Sequence, residues 1–226
     1  MSHLRLILTF AALLAVPAVL RAGPAAIAET RHNLSVSGPG PIRATNETRI
    51  CVFCHTPHTS KAEVPLWNRD LPDKPFLQYT SPSSDAEDRE PVRPLTGTSR
   101  LCMACHDGTI ALGAVKSQRE TISMIGTEAG RIPSKSASAL GHDLSGSHPV
   151  SMQVTPGQIS ANNARDSLLV PLESMKADSE VRLDGSDQLQ CTTCHDPHDD
   201  SNFAGSGVHF YRKASFSDVC TVCHKL

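Results

Sequence analysis

The chain has 226 residues, with 21 basic side chains against 23 acidic ones and no basic stripe, so nothing in it is suited to a nucleic-acid partner. Aromatic residues make up only 4%, with a single tryptophan, while proline (16) and glycine (14) are plentiful. That is a thin apolar core for the length, and chains of this kind rely on metals or cross-links to fix their interior.

At the start of the chain, Arg5 supplies a positive charge ahead of an apolar run from Leu6 to Leu20, broken only by Thr9 and Pro17. A small-residue site, Ala26-Ile27-Ala28, follows. The run is about 15 residues, short of the ~20 a spanning helix needs, so the pattern predicts a signal peptide over 1–28, cleaved before Glu29. The expectation is an exported protein, periplasmic or extracellular. Without Arg5 and Arg21, 19 basic residues face 23 acids, a formal charge of −4.

All eight cysteines fall into four pairs at one spacing, each followed directly by histidine. The units are Cys51-Val52-Phe53-Cys54-His55, Cys102-Met103-Ala104-Cys105-His106, Cys191-Thr192-Thr193-Cys194-His195 and Cys220-Thr221-Val222-Cys223-His224. Residues three apart on a helical turn share one side, so both sulfurs can meet the two vinyl groups of one porphyrin edge. The next residue then carries its imidazole to the iron. The pattern therefore reads as covalent attachment of four haem c groups. Four disulfides would leave the recurrent histidine unexplained. Paired zinc sites compete only where one or two pairs occur. A redox dithiol needs a βαβ context that is absent.

Eleven histidines are present; His55, His106, His195 and His224 are proximal, and His3 leaves with the signal. The remaining six are His32, His58, His142, His148, His198 and His209, two more than four irons need. A haem capped on both faces passes electrons, whereas one with an open face can also activate a substrate. The surplus favours an electron carrier over an enzyme. The alternative is a haem-dependent reductase of a nitrogen or sulfur oxide with one open site. His58 and His198 each lie three residues beyond a proximal histidine, too near to clamp the same haem, so each is expected to reach a neighbouring one. His209 alternates with apolar residues like a structural strand position. Met152 and Met175 are weaker candidates as axial ligands.

The chain reads as two dihaem halves, 29–125 and 126–226, packed into one unit. Each holds a C-x-x-C-H-x-P-H motif, then a plain C-x-x-C-H, preceded by His32 in the first half and by His142 or His148 in the second. The expected fold class is mostly irregular, with short α-helices around the haems and little β. Helices are predicted from Ser99 through Ala114 and from Ser217 into His224, each opened by a good N-cap residue. Residues 81–94 read as a loop, 126–147 as the boundary between halves and 156–187 as a charged insertion.

His32-Asn33-Leu34-Ser35, the unit from Cys51 to His58, Pro65-Leu66-Trp67-Asn68-Arg69, Cys105-His106-Asp107-Gly108-Thr109 and Ser147-His148-Pro149-Val150 together resemble the doubled-CXXCH multihaem cytochromes, over about residues 31–226. The resemblance implies a multihaem cytochrome c fold, bis-histidine low-potential haems and electron transfer across or outside the cell envelope. Its implied partners are redox proteins, other multihaem cytochromes or further copies of the chain in a filament. It leans to His148 rather than His142 as the second-half ligand.

Overall fold

The computed structural model describes residues 27–58, 64–82, 89–165 and 168–226. The predicted signal run therefore lies almost wholly outside the described residues. The chain is mostly irregular, with short elements. Strand β1 (Arg43–Ala44) pairs antiparallel with β4 (Met124–Ile125). Strand β2 (Phe76–Gln78) is central to a small sheet, with β3 (Val92–Arg93) antiparallel on one side and β5 (Asp143–Leu144) parallel on the other. Strands β6 (Met152–Gln153) and β7 (Gln188–Leu189) form a third ribbon. No helix among the described residues is long and apolar enough to cross a membrane.

The longest helix, α1 (Gly97–His106), begins two residues before the expected Ser99 and stops well short of Ala114. Its end has a local cause. Gly108 adopts φ 73°, the left-handed conformation in which glycine closes a helix. Ser99 is buried inside the helix rather than capping it, and its hydroxyl donates to Gln190 Oε1 at 2.7 Å while accepting from Cys191 N at 2.9 Å. At the other end of the chain, a short helix (Phe216–Cys220) starts after Ser215 and ends before His224. Of the expected 81–94 loop, 83–88 lie outside the described residues, and the remainder contains β3.

Two expectations about the second half change. Residues 126–147 do not merely separate the halves, because β5 hydrogen-bonds to β2, with Leu77 opposite Asp143 and Gln78 opposite Leu144. Residues 156–187 are not only a charged insertion. They hold α2 (Pro156–Asn163), opened by a capping box between Thr155 and Gln158, and α3 (Leu172–Lys176). Ile159 and Met175 from these helices bury against Val154, with Leu169, Val170, Leu189 and Cys223 around them. Met175 is thus a core residue.

The other two clusters are Ala44, Val52, Phe53, Val115 and Ile122, and Phe76, Leu95, Met103 and Leu144. Each cluster is small, as the composition implied. All three touch an attachment motif: Val52 and Phe53 belong to one, Met103 to another, and Cys223 packs against the third.

Candidate functional site

Each cysteine pair sits on one tight turn. In the first, Cys54 N and His55 N both donate to the Cys51 carbonyl, at 3.1 and 2.7 Å. The third lies on α4 (Cys191–Cys194), where His195 N reaches the Cys191 carbonyl at 3.0 Å. The fourth repeats this from His224 N to the Cys220 carbonyl at 2.8 Å, and the second occupies the last turn of α1. None of the eight cysteines is in a disulfide. Among the described residues no three metal-ligating side chains converge, so the tetrahedral cage of a structural zinc is not formed.

Three of the four histidines are held by a common backbone strap. A single antiparallel bridge joins His55 to Trp67, His195 to Tyr211 and His224 to Leu169. On either side of the first bridge, Thr56 N donates to the Leu66 carbonyl and Asn68 N to the Cys54 carbonyl, both at 2.9 Å. The third motif repeats the pair: Asp196 N to the Phe210 carbonyl at 2.7 Å and Arg212 N to the Cys194 carbonyl at 3.0 Å. The fourth uses Lys225 N to Leu168 and Val170 N to Cys223, at 2.7 and 2.9 Å. The second motif differs, for its histidine carbonyl instead accepts from Leu140 N and Gly141 N.

Successive motifs lie near one another. The Cys105 thiol acts on buried Cys54, and Cys194 feels Cys223 and Cys220. Between the halves, the Cys102 thiol hydrogen-bonds to Cys191, raising Cys102 and lowering Cys191, while Thr98 Oγ1 and Thr192 Oγ1 meet at 2.6 Å. Gly97, at φ 52°, makes this approach close, since a Cβ there would run into the Gln190 side chain. Burial pushes the Cys54 thiol up to about 12 and Cys194 up to about 11.

Three pairs of imidazoles face one another at nearly one spacing. Ring centres are 6.2 Å apart for His55 and His198, 6.2 Å for His32 and His106, and 6.3 Å for His148 and His224. A ligating imidazole nitrogen lies about 2 Å from its metal and the ring centre about 1 Å further, so rings clamping one ion from opposite sides are about 6 Å apart. The His198 pairing crosses from the second half to the first. His195 is the exception: its ring packs against Tyr211 at 5.1 Å, and His58 is exposed, with its carbonyl accepting from Thr56 Oγ1.

The tautomers suit metal binding. A ring nitrogen beside a carbonyl must donate, which leaves the lone pair on the other nitrogen. Nδ1 of His32, His106, His195 and His148 lies 3.1, 2.8, 3.0 and 3.2 Å from the carbonyls of Pro197, Ser138, His209 and Pro149. In each, Nε2 is the free ligand. Burial lowers His32 to about 4, and burial also lowers His55, His195 and His224, so these rings hold their lone pairs at neutral pH.

His142 and His209 face no motif histidine. His142 shares the Nδ1 anchor, 3.4 Å from the Pro75 carbonyl, and lies flat on Phe76 at 4.5 Å, with Nε2 buried, lacking a hydrogen-bond partner and 3.6 Å from Asp107 Oδ2. His209 is engaged by Asp200 at 2.7 Å and stacked on Phe203 at 3.9 Å. Several supporting residues carried no motif of their own in the sequence: Phe210, which stacks on His32 at 4.2 Å, Tyr211, Ser99 and Gln190. Trp67 meets His55 edge-on at 5.7 Å, and its buried Nε1 lacks a partner.

Residues 185–226 match the family model of the doubled CXXCH motif. The match takes in the third and fourth motifs and marks them as covalent haem c sites of an electron-transfer type. No curated protein matches the chain. The donor set fits the group: two sulfurs on one turn, an adjacent imidazole and, at three sites, a second imidazole opposite.

Proposed function

We propose that the chain is an exported tetrahaem c-type cytochrome that relays electrons through bis-histidine haems, in the periplasm or outside the cell. The observation that carries this reading is the recurrence of one imidazole spacing, 6.2–6.3 Å, at three of four attachment motifs. The haems would be held at Cys51/Cys54, Cys102/Cys105, Cys191/Cys194 and Cys220/Cys223. Their axial pairs would be His55 with His198, His106 with His32, His195 with His58, and His224 with His148. The fourth assignment rests on repetition: His198 stands three residues beyond His195 and faces His55, so His58, three beyond His55, is the counterpart for His195.

Bound haem supplies the one-electron iron couple; the chain supplies attachment, orientation and electrostatics. At His32, His106, His148 and His195 the anchored Nδ1 fixes the ring and makes Nε2 the stronger donor, which favours low potentials. Side-by-side packing of α1 and α4 supports a short path, since it would hold the second and third haems near each other and the relay need not leave the molecule between halves. Redox proteins or other multihaem cytochromes are the partners in this reading. A reductase with one open iron is the second reading, and His195, faced by Tyr211 rather than an imidazole, is the one observation that favours it.

The test is iron coordination in the haem-loaded protein. Four low-spin irons that do not bind carbon monoxide are expected. His198→Ala should turn one of the four high-spin and His58→Ala another, while His142→Ala leaves all four unchanged. A five-coordinate iron in the wild type would overturn the relay in favour of the reductase.

A further inference from the structure

The strap that crosses His55 carries, two residues past Trp67, the largest fully buried side chain among the described residues, Arg69, at 1% exposure. Its Nη1 donates to the Leu112 carbonyl at 2.8 Å and the Phe53 carbonyl at 3.4 Å, and Nη2 to the Ala111 carbonyl at 2.8 Å. Its Nε is buried with no partner. No carboxylate among the described residues pairs with it. Arginine keeps its charge in proteins, and a buried charge lacking a counter-ion is costly and rare unless it serves a purpose.

The position is informative. Arg69 donates to the carbonyl just before Cys54 and lies on the strap bridged to His55, which places its charge beside the first motif. In the second motif a carboxylate, Asp107, directly follows the histidine, whereas the uncharged Thr56 holds that place in the first. The corresponding cations of the third motif are compensated. Arg212 lies 3.4 Å from Asp196, and Lys213 lies 2.6 Å from Asp178. Reduction removes one positive charge from a haem iron, so a fixed cation in a low-dielectric site favours the reduced form.

We propose, resting on the haem reading above, that Arg69 is a potential-setting residue whose uncompensated charge gives the haem at Cys51 and Cys54 the highest reduction potential of the four. A single electron shared by the molecule then rests at that haem. Asp107 weakens the effect at the second haem, the ion-paired cations give the third no comparable bias, and Lys225 beside the fourth is exposed and screened by solvent.

The experiment is a haem-resolved redox titration by nuclear magnetic resonance on the haem-loaded wild type, Arg69→Gln and Arg69→Lys. In the wild type the His55 haem should be reduced first. In R69Q the ratio of oxidised to reduced iron at that haem, at fixed potential, should rise at least tenfold, equivalent to about 59 mV for one electron. The two second-half haems should move less than twofold, and R69K should recover most of the change. Another haem reducing first in the wild type, or an equal shift at all four haems, overturns the proposal. The wild-type order decides it even if R69Q does not fold. Four low-spin irons in the same samples with no such shift leave the relay standing and sink only the role of Arg69. Fewer than four low-spin irons in the wild type sink both.

Discussion

The straps over His55 and His195 share a backbone and differ in almost every side chain. Each runs antiparallel to its histidine, and each turns through a non-glycine residue in the left-handed region, Leu66 at φ 62° and Phe210 at φ 63°. The first then buries an uncharged hydrogen-bonding residue, Asn68, and a lone cation, Arg69. The second exposes part of Arg212 and Lys213 and pairs both with carboxylates. Holding an attachment histidine thus constrains the backbone; the side chains remain free to set stability and charge separately at each site.

Haem itself would supply the interior that both straps share. The largest expected effect follows from removing it. Changing all eight cysteines to alanine should abolish the cooperative thermal transition, because three small apolar clusters cannot offset the chain entropy of so many ordered residues. A sharp melting transition in that variant, followed by circular dichroism, would show that the straps hold the fold without their cofactor.

The next test separates the two turning residues. Phe210 is buried and stacked on His32, so Phe210→Gly should cost about 3 kcal/mol, the loss of a buried aromatic less the relief of left-handed strain. Leu66 is half exposed, at 53%, so Leu66→Gly should lie within about 1 kcal/mol of wild type, strain relief offsetting glycine's added chain entropy. Equal losses in denaturant titrations would mean that the shared backbone, rather than the packing of each side chain, decides both.

Asn68 is a similar case on the polar side. Its Nδ2 donates to the Val52 carbonyl at 2.6 Å and to Ser117 Oγ at 2.8 Å, and its Oδ1 accepts from Ser117 N at 2.8 Å. Asn68→Ala leaves buried backbone groups of the first motif unpaired and should cost about 2–3 kcal/mol. A loss below about 0.5 kcal/mol in the same titration would show that water replaces the side chain there.

Much of the site was legible in the sequence because covalent attachment imposes a spacing within five residues. The straps were not, since Trp67 and Tyr211 reach their histidines across loops of different length and turn through Leu66 and Phe210, where sequence rules look for glycine. The spacing of His198 from His195 told that it reaches another site, but that its partner is His55 is a non-local event that no local pattern encodes. Helix ends failed for a physical reason too: Ser99 resembles a cap, but its hydroxyl is spent on Gln190 and Cys191. Apolar residues in 154–189 were too scattered for a periodic signal, yet they close a core around Val154, Ile159 and Met175.

The smallest effect is expected at Lys213, and it tests the other side of the comparison. Lys213 Nζ lies 2.6 Å from Asp178 and 3.6 Å from Glu180, and the hydrogen bond to Asp178 raises its own affinity for a proton. The lysine and Asp178 side chains both keep about a fifth of their surface in water, so solvent and salt screen the pair. Lys213→Met should therefore cost no more than about 1 kcal/mol at low ionic strength, and less in high salt. Asn68→Ala, acting through neutral buried hydrogen bonds, should show a salt-independent loss. Denaturant titrations of both variants at two salt concentrations separate the mechanisms. If Lys213→Met matches Asn68→Ala in size and neither responds to salt, the second strap is as buried a network as the first, and the contrast in charge compensation between Arg69 and the Arg212–Lys213 pair loses its basis.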